Sequence, residues 1–261
     1  ASGKMQVLFK DNLTAEWQTA KKITFVKYDH IQRQVIIENA APQLIRLNTV
    51  IPELRVGYIE GAGDKVFESL EQLGLDITLI NPANFSLSEF KKYDVIIAGI
   101  RAYNTTKELA NAQNYLLQYM EQGGLYIVQY NTSWDLYSDN FAPYPLKIGR
   151  GRVSVETAPV NFLIPEHAVL NIPNKIVEAD FDNWVQERGL YFATDLDKRY
   201  STPLAFTDPG EQPQNGALII ADYGQGAFMY TGISFFRELP AGVPGAYRLF
   251  MNMLSYRPAK N

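Results

Sequence analysis

Three clusters of polar side chains in this chain could do chemistry. Glu60 and Asp64 bracket Gly61 and Gly63, Arg101 is followed closely by Tyr103 and Asn104, and Gln129, Tyr130 and Asn131 are consecutive. Carboxylates exchange protons, a guanidinium grips a carboxylate or a hydroxyl-rich ligand, and amides and phenols bond hydroxyls. Each cluster follows an apolar stretch, residues 55–59, 95–99 and 125–128, that reads as a buried strand. In an open α/β sheet the carboxyl ends of parallel strands line a crevice where ligands bind, so the three clusters are expected to meet at one such place. An attacking group is harder to find there. The chain has no cysteine, and its two histidines are His30 and His167. No cluster of imidazoles or thiolates is available to hold a catalytic metal. A binding pocket without metal or cofactor is therefore expected in preference to a catalytic one.

Plainer readings stand beside the chemical ones. The turn from Glu60 to Asp64 could cradle a phosphate at a helix start. Val66 stands where a third glycine would be wanted, however, and two carboxylates would repel the anion, so a tight turn with Asp64 capping the helix is preferred. Trp184 with Arg188, and Arg237 with Glu238, could face a ligand. Equally, the arginines could pair internally with Glu187, Glu238 or Glu60. His167, beside Glu166, is read as a loop histidine making a structural hydrogen bond. Asp135 and Asp139 lack the dense oxygen spacing of a calcium loop. The aromatic loop from Tyr130 to Tyr144 hints at ligand type, because aromatic rings pack on the apolar faces of sugars; such rings are also good core filler.

Stepping outward, 261 residues with 46% hydrophobic content can fill a substantial core, and a net charge of −4 without long runs of either sign argues against nucleic acid or anionic membrane as partner. No apolar stretch reaches the roughly 20 residues a membrane-spanning helix needs. Residues 1–52 carry short β-branched runs (23–28, 35–38, 44–50) and read as a β-rich segment, the tail of a preceding β domain; Ile51 and Pro52 mark the junction. Residues 53–261 read as an α/β body of strands alternating with helices. Ser86 with Glu89, and Thr105 with Glu108, have the spacing of capping boxes. Gly123 and Gly124 should end the second helix, residues 223–226 should turn a hairpin, and 244–255 should close the fold as a helix.

The stretches YIEGAGD (58–64), IIAGIRAYN (96–104), IVQYNT (127–132), NWVQERGLY (183–191) and YTGISFFRELPAGVPGAYRLF (230–250) resemble the amidotransferase-like domain at the carboxyl end of bacterial PIG-L (LmbE-like) deacetylases. More remotely the body resembles class I glutamine amidotransferases and the ThuA-like group. The resemblance implies a flavodoxin-like, doubly wound, mostly parallel sheet. It also implies attachment to other domains of a longer polypeptide with N-acetylglucosaminyl deacetylase activity, a glycan or small-molecule ligand, and an extracytoplasmic setting. In the amidotransferase resemblance, Tyr130 falls at the nucleophile, Phe236 at the triad histidine and Glu238 at the acid. Two of three triad members are therefore missing, and the deacetylase metal motif is absent. The expected function is a non-catalytic ligand-binding or scaffolding module lined by Glu60, Arg101, Tyr103, Asn104, Gln129, Tyr130, Asn131, Trp184, Arg188, Arg237 and Glu238. The alternative is a glycan or amide hydrolase using Glu60 or Glu238 with His167.

Overall fold

The computed structural model describes residues 3–259. By its contacts the chain divides into two compact units, Ala1–Leu47 and Asn48–Asn261. In the first, Lys21–Val26 pairs antiparallel with Gln34–Asn39, setting Ile23 opposite Ile37 and Phe25 opposite Val35. Leu8–Lys10 pairs with Trp17–Thr19, and Gly3–Lys4 with Gln43–Leu44. The strand expected over 44–50 stops at Leu44, since residues 45–50 find no ladder partner. None of the described residues up to Leu47 is buried.

The second unit is built on an eight-stranded sheet. Its strands are β1 (Arg55–Ile59), β2 (Asp76–Leu79), β3 (Val95–Ala98), β4 (Leu125–Gln129), β5 (Val160–Phe162), β6 (Ser201–Phe206), β7 (Gln214–Tyr223) and β8 (Gly226–Thr231), in spatial order β5-β6-β7-β8-β4-β3-β1-β2. β2, β1, β3, β4 and β8 run parallel, whereas β7, β6 and β5 add on antiparallel. The parallel part thus has the flavodoxin-like order, with its switch point between β1 and β3. Of the antiparallel additions only β7 turns back tightly into β8, at Gly224, φ 59°.

Central strands read as unbroken apolar runs because both faces are covered. Ile96, Ala98, Tyr126, Val128, Phe228 and Tyr230 join one core with Phe90 of α2 (Leu87–Phe90) and Leu109, Leu116 and Met120 of α4 (Glu108–Glu121). Their alternate neighbours Val95, Ile97, Ile127 and Met229 point to the opposite face and are equally buried. A second helix group packs in series: α1 (Val66–Glu71) on α6 (Phe235–Ala241), α6 on α7 (Pro244–Ser255), and α7 on α5 (Ala168–Asn171). Each buried Leu, Ile or Phe in these layers contributes about 1.5–3 kcal/mol.

Local signals mostly hold. Ser86 Oγ accepts the Glu89 N–H at 3.2 Å and starts α2, and Gly123, at φ 107°, follows α4. The capping box expected at Thr105 and Glu108 does not form. Instead Thr105 ends a four-residue helix, α3 (Ala102–Thr105), and its hydroxyl donates to the Arg101 carbonyl at 3.1 Å.

Candidate functional site

The carboxyl ends of β1, β3, β4 and β8 lie side by side, and close backbone packing joins them. Gly61 is required where β1 leaves the sheet, because a Cβ there would sit 2.0 Å from the Ile100 carbonyl oxygen. The Ala62 N–H donates to that same oxygen at 2.8 Å. Asp64 then locks the turn. Its carboxylate accepts the Tyr58 hydroxyl at 2.8 Å, the Val66 N–H at 2.8 Å and the Ile100 N–H at 3.2 Å, while Gln129 donates to the Tyr58 oxygen at 3.2 Å. The backbone donors a phosphate would need are taken by the protein's own anion. The turn is structural.

After β3 the chain enters Arg101 in the left-handed region, at φ 56°. That conformation is uncommon for a residue with a Cβ and recurs at functional sites. Here the Arg101 N–H donates to the Tyr130 carbonyl at 2.7 Å and ties the β3 and β4 tips together. The guanidinium makes no hydrogen bond or ion pair with the described residues, and its Nε is buried without a partner. Tyr103 and Asn104 turn inward. Asn131 accepts the Tyr103 N–H at 2.9 Å and donates to the Gln129 carbonyl at 3.0 Å. The Tyr103 hydroxyl meets the Tyr126 hydroxyl at 2.8 Å, and burial pushes the Tyr103 phenol well up. Asn104 bonds Thr132 in both directions and the Trp134 carbonyl at 2.8 Å, bracing the aromatic loop. These three side chains, with Gln129, hold the tips in register.

Tyr130 caps the crevice. Its ring stacks on Tyr191, 5.6 Å between centroids and 14° between planes, and touches Phe236 at 5.2 Å. Trp134 meets the Tyr191 ring edge-on at 5.6 Å, and the Arg150 guanidinium lies 5.3 Å over Trp134. The positions matched to a nucleophile and a triad histidine are therefore neighbours in space, occupied by two rings. Burial raises the Tyr130 pKa, with Arg101 and Arg237 pulling the other way. No imidazole contacts it. Tyr191, at φ 52°, and Gln186, at φ 66°, share the strained backbone of Arg101 around this rim.

Below the rim lies a polar group of another kind. Arg237 bonds Glu187 at 2.8 Å and also Gln186, and Arg152 reaches the other Glu187 oxygen at 3.3 Å. Arg188 is buried and donates to the carbonyls of Ala158 and Phe181, and Trp184 donates its indole N–H to the Asp180 carbonyl. Glu238 is fully buried on α6, accepts the Val185 N–H at 3.0 Å, and keeps one oxygen unpartnered. Burial carries its pKa to about 8, against the Val185 N–H, Arg188 and Arg237. The internal Arg–Glu pairing left open by the sequence exists for Arg237 with Glu187.

His167 sits apart from this group in its bonding. Its Nδ1 accepts the Val169 N–H at 3.2 Å, which leaves Nε2 to donate to Ser201 Oγ at 3.2 Å; Ser201 in turn donates to the Ile220 carbonyl. Burial lowers its pKa. Glu60 is exposed and borders a cavity of about 330 Å³ with Gly61, Asn81, Pro82, Thr105 and Thr106, on the β2 side of the tips. Among the described residues no group of three or more His, Asp or Glu could hold a metal ion, and no helix is long and apolar enough to cross a membrane. Sequence reasoning missed Arg150 and Tyr191 as rim residues. Tyr191 lay within a noted motif, but Arg150 joins the rim only through long-range folding.

Neither a family model nor a curated protein matches the chain. Solved structures do. The cytoplasmic protein STM3548 of Salmonella typhimurium is 14% identical, with 93% of this chain and 97% of that one covered at a TM-score of 0.51. The cytoplasmic protein STM1381 of Salmonella typhimurium LT2 is 10% identical over 91% and 96%, at 0.48. A ThuA-like protein of Bacteroides uniformis is 16% identical over 76% and 88%, at 0.45. The chain is thus an α/β protein with a mixed eight-stranded sheet whose parallel part has the flavodoxin-like order, and the deacetylase part of the resemblance has no counterpart among these three structures. The extracytoplasmic setting inferred from that resemblance is corrected: STM3548, whose architecture this chain shares along most of its length, is named a cytoplasmic protein.

Proposed function

We propose that the chain is a non-catalytic ligand-binding module, directed at carbohydrate, on a doubly wound amidotransferase-like body. One observation carries the reading. At the tip of the central strand, where the amidotransferase resemblance sets the attacking group, stands a phenol packed between Tyr191 and Phe236 with its pKa raised and no base against it. A phenol needs an adjacent base or a depressed pKa to attack, and Tyr130 has neither. What remains at the tips is a set of binding groups: partly exposed aromatic faces, a free guanidinium at Arg101, and Glu60 beside a small cavity. The hydrolase alternative gains nothing from the geometry, because His167 is bonded to Ser201 and Val169, and Glu238 is sealed in the interior.

The sequence resemblance further supports reading the module as part of a longer deacetylase polypeptide, whose catalytic domain it would serve as a glycan-holding or orienting partner. A glycan array carrying neutral, amino and acidic oligosaccharides tests the binding role. Saturable binding to any of them is expected, and a uniformly blank array would leave only an orienting role, which pulldown with a PIG-L-type catalytic domain would then examine.

A further inference from the structure

The rim around Tyr130 has an excess of positive charge in a protein whose net charge is −4. Arg101, Arg150, Arg152 and Arg237 converge on it, each tied to the platform by a contact. The Arg101 and Arg237 charges act on the Tyr130 phenol, Arg150 covers Trp134, Arg237 lies 4.8 Å from the centre of the Phe236 ring, and Arg152 shares Glu187 with Arg237 just below. Against these four cations stand the one Glu187 carboxylate and Asp135, the exposed neighbour of Trp134. Arg101 and Arg150 form no ion pair with any described residue. A buried, unpartnered Nε on Arg101 is costly unless something accepts from the guanidinium. The rings between these cations offer flat apolar faces, and the hydroxyls of Tyr130 and Tyr191 bond no described residue.

We propose that this platform takes an acidic sugar, a uronate or similarly carboxylated unit of a glycan, stacked on the exposed Trp134 ring with its carboxylate held by Arg101 and Arg150. The proposal rests on the carbohydrate reading above and narrows it. A guanidinium fork matches a carboxylate in two parallel hydrogen bonds, and a ring face matches the apolar side of a pyranose. Deacetylated amino sugars, being cationic, would meet charge repulsion at the same place. A nucleotide is the less fitting occupant, because the one turn shaped for phosphate is filled by Asp64.

Calorimetric titration of the full chain with an oligouronate, and with the same oligomer after its carboxyl groups are reduced to alcohols, separates the two levels. The uronate should bind at least about tenfold more tightly than its reduced form, and the preference should shrink as salt screens the charges. Arg101→Gln and Arg150→Gln should each weaken uronate binding about tenfold and weaken binding of the reduced form by less. Equal binding of both oligomers overturns the acidic-sugar assignment and leaves the carbohydrate reading standing. Binding of neither overturns both. Displacement of the uronate by an equimolar nucleoside diphosphate also overturns the assignment. Thermal unfolding of each variant alongside shows that the fold is intact.

Discussion

Two corners of the same sheet edge treat their polar groups in opposite ways. At the β1 turn the Asp64 carboxylate is fully engaged: it receives a phenol and two backbone donors, and Gly61 nearby lets two backbones touch. At the β3–β4–β8 tips Arg101 and Arg150 have no carboxylate among the described residues, the Tyr130 and Tyr191 phenols are free, and Arg101, Gln186 and Tyr191 hold left-handed backbone. The first corner holds itself closed; the second leaves bonding capacity that the proposed ligand would meet. Strain and unmet hydrogen-bonding capacity persist where the surroundings impose them, and such places concentrate at ligand sites.

Substitutions can break this contrast. Gly61→Ala should have the largest effect, since its Cβ would fall against the Ile100 carbonyl; a loss of more than about 3 kcal/mol in denaturant unfolding is expected. Asp64→Ala should follow, leaving the Tyr58 hydroxyl and two backbone N–H groups without their acceptor at a cost of about 2–4 kcal/mol. At the other corner Arg101→Gln should move stability by no more than about 0.5 kcal/mol, because no partner is lost. A large destabilisation there would erase the distinction between the corners.

Two titrating groups sharpen it further. The folded-state pKa of Glu238, about 8, lies above its ordinary value, so folding favours the protonated acid. Stability on this account is full below about pH 4.3 and declines as pH rises through 8, with a slope of at most about 1.4 kcal/mol per unit. Glu238→Gln keeps an acceptor for Val185 and should flatten that decline. His167 works in the opposite sense and more weakly. Its lowered pKa means the folded state prefers the neutral ring, so stability is full above about pH 6.5 and falls below it. His167→Gln should reduce this acid sensitivity in pH-dependent thermal unfolding.

Much of the frame was legible in the sequence because it depends on local pattern. The strands at 55–59, 95–98 and 125–129, the Ser86 cap and the 223–226 hairpin follow from periodicity and turn chemistry, which neighbouring residues determine. The site was legible only in outline. That Tyr130, Arg101 and Glu60 end adjacent strands followed from the alternation of strands and helices. That Tyr103, Asn104 and Asn131 would turn inward as braces depended on a one-residue choice at each strand end. Left-handed Arg101, set by its bond to the Tyr130 carbonyl, made that choice. The failed Thr105 cap has a similar origin: its hydroxyl was captured by Arg101, which no nearest-neighbour rule foresees. Arg150 and Tyr191 reach the rim across long connections, beyond anything spacing can report.

A site that binds without turning over, as proposed, is open to one measurement, because calorimetry reads binding and turnover at once. Injecting a glycan that the array identifies should give heat pulses that saturate and return fully to baseline. A sustained heat of reaction after saturation, removed by Tyr130→Phe or Glu60→Gln, would show catalysis at the strand tips and overturn the non-catalytic reading.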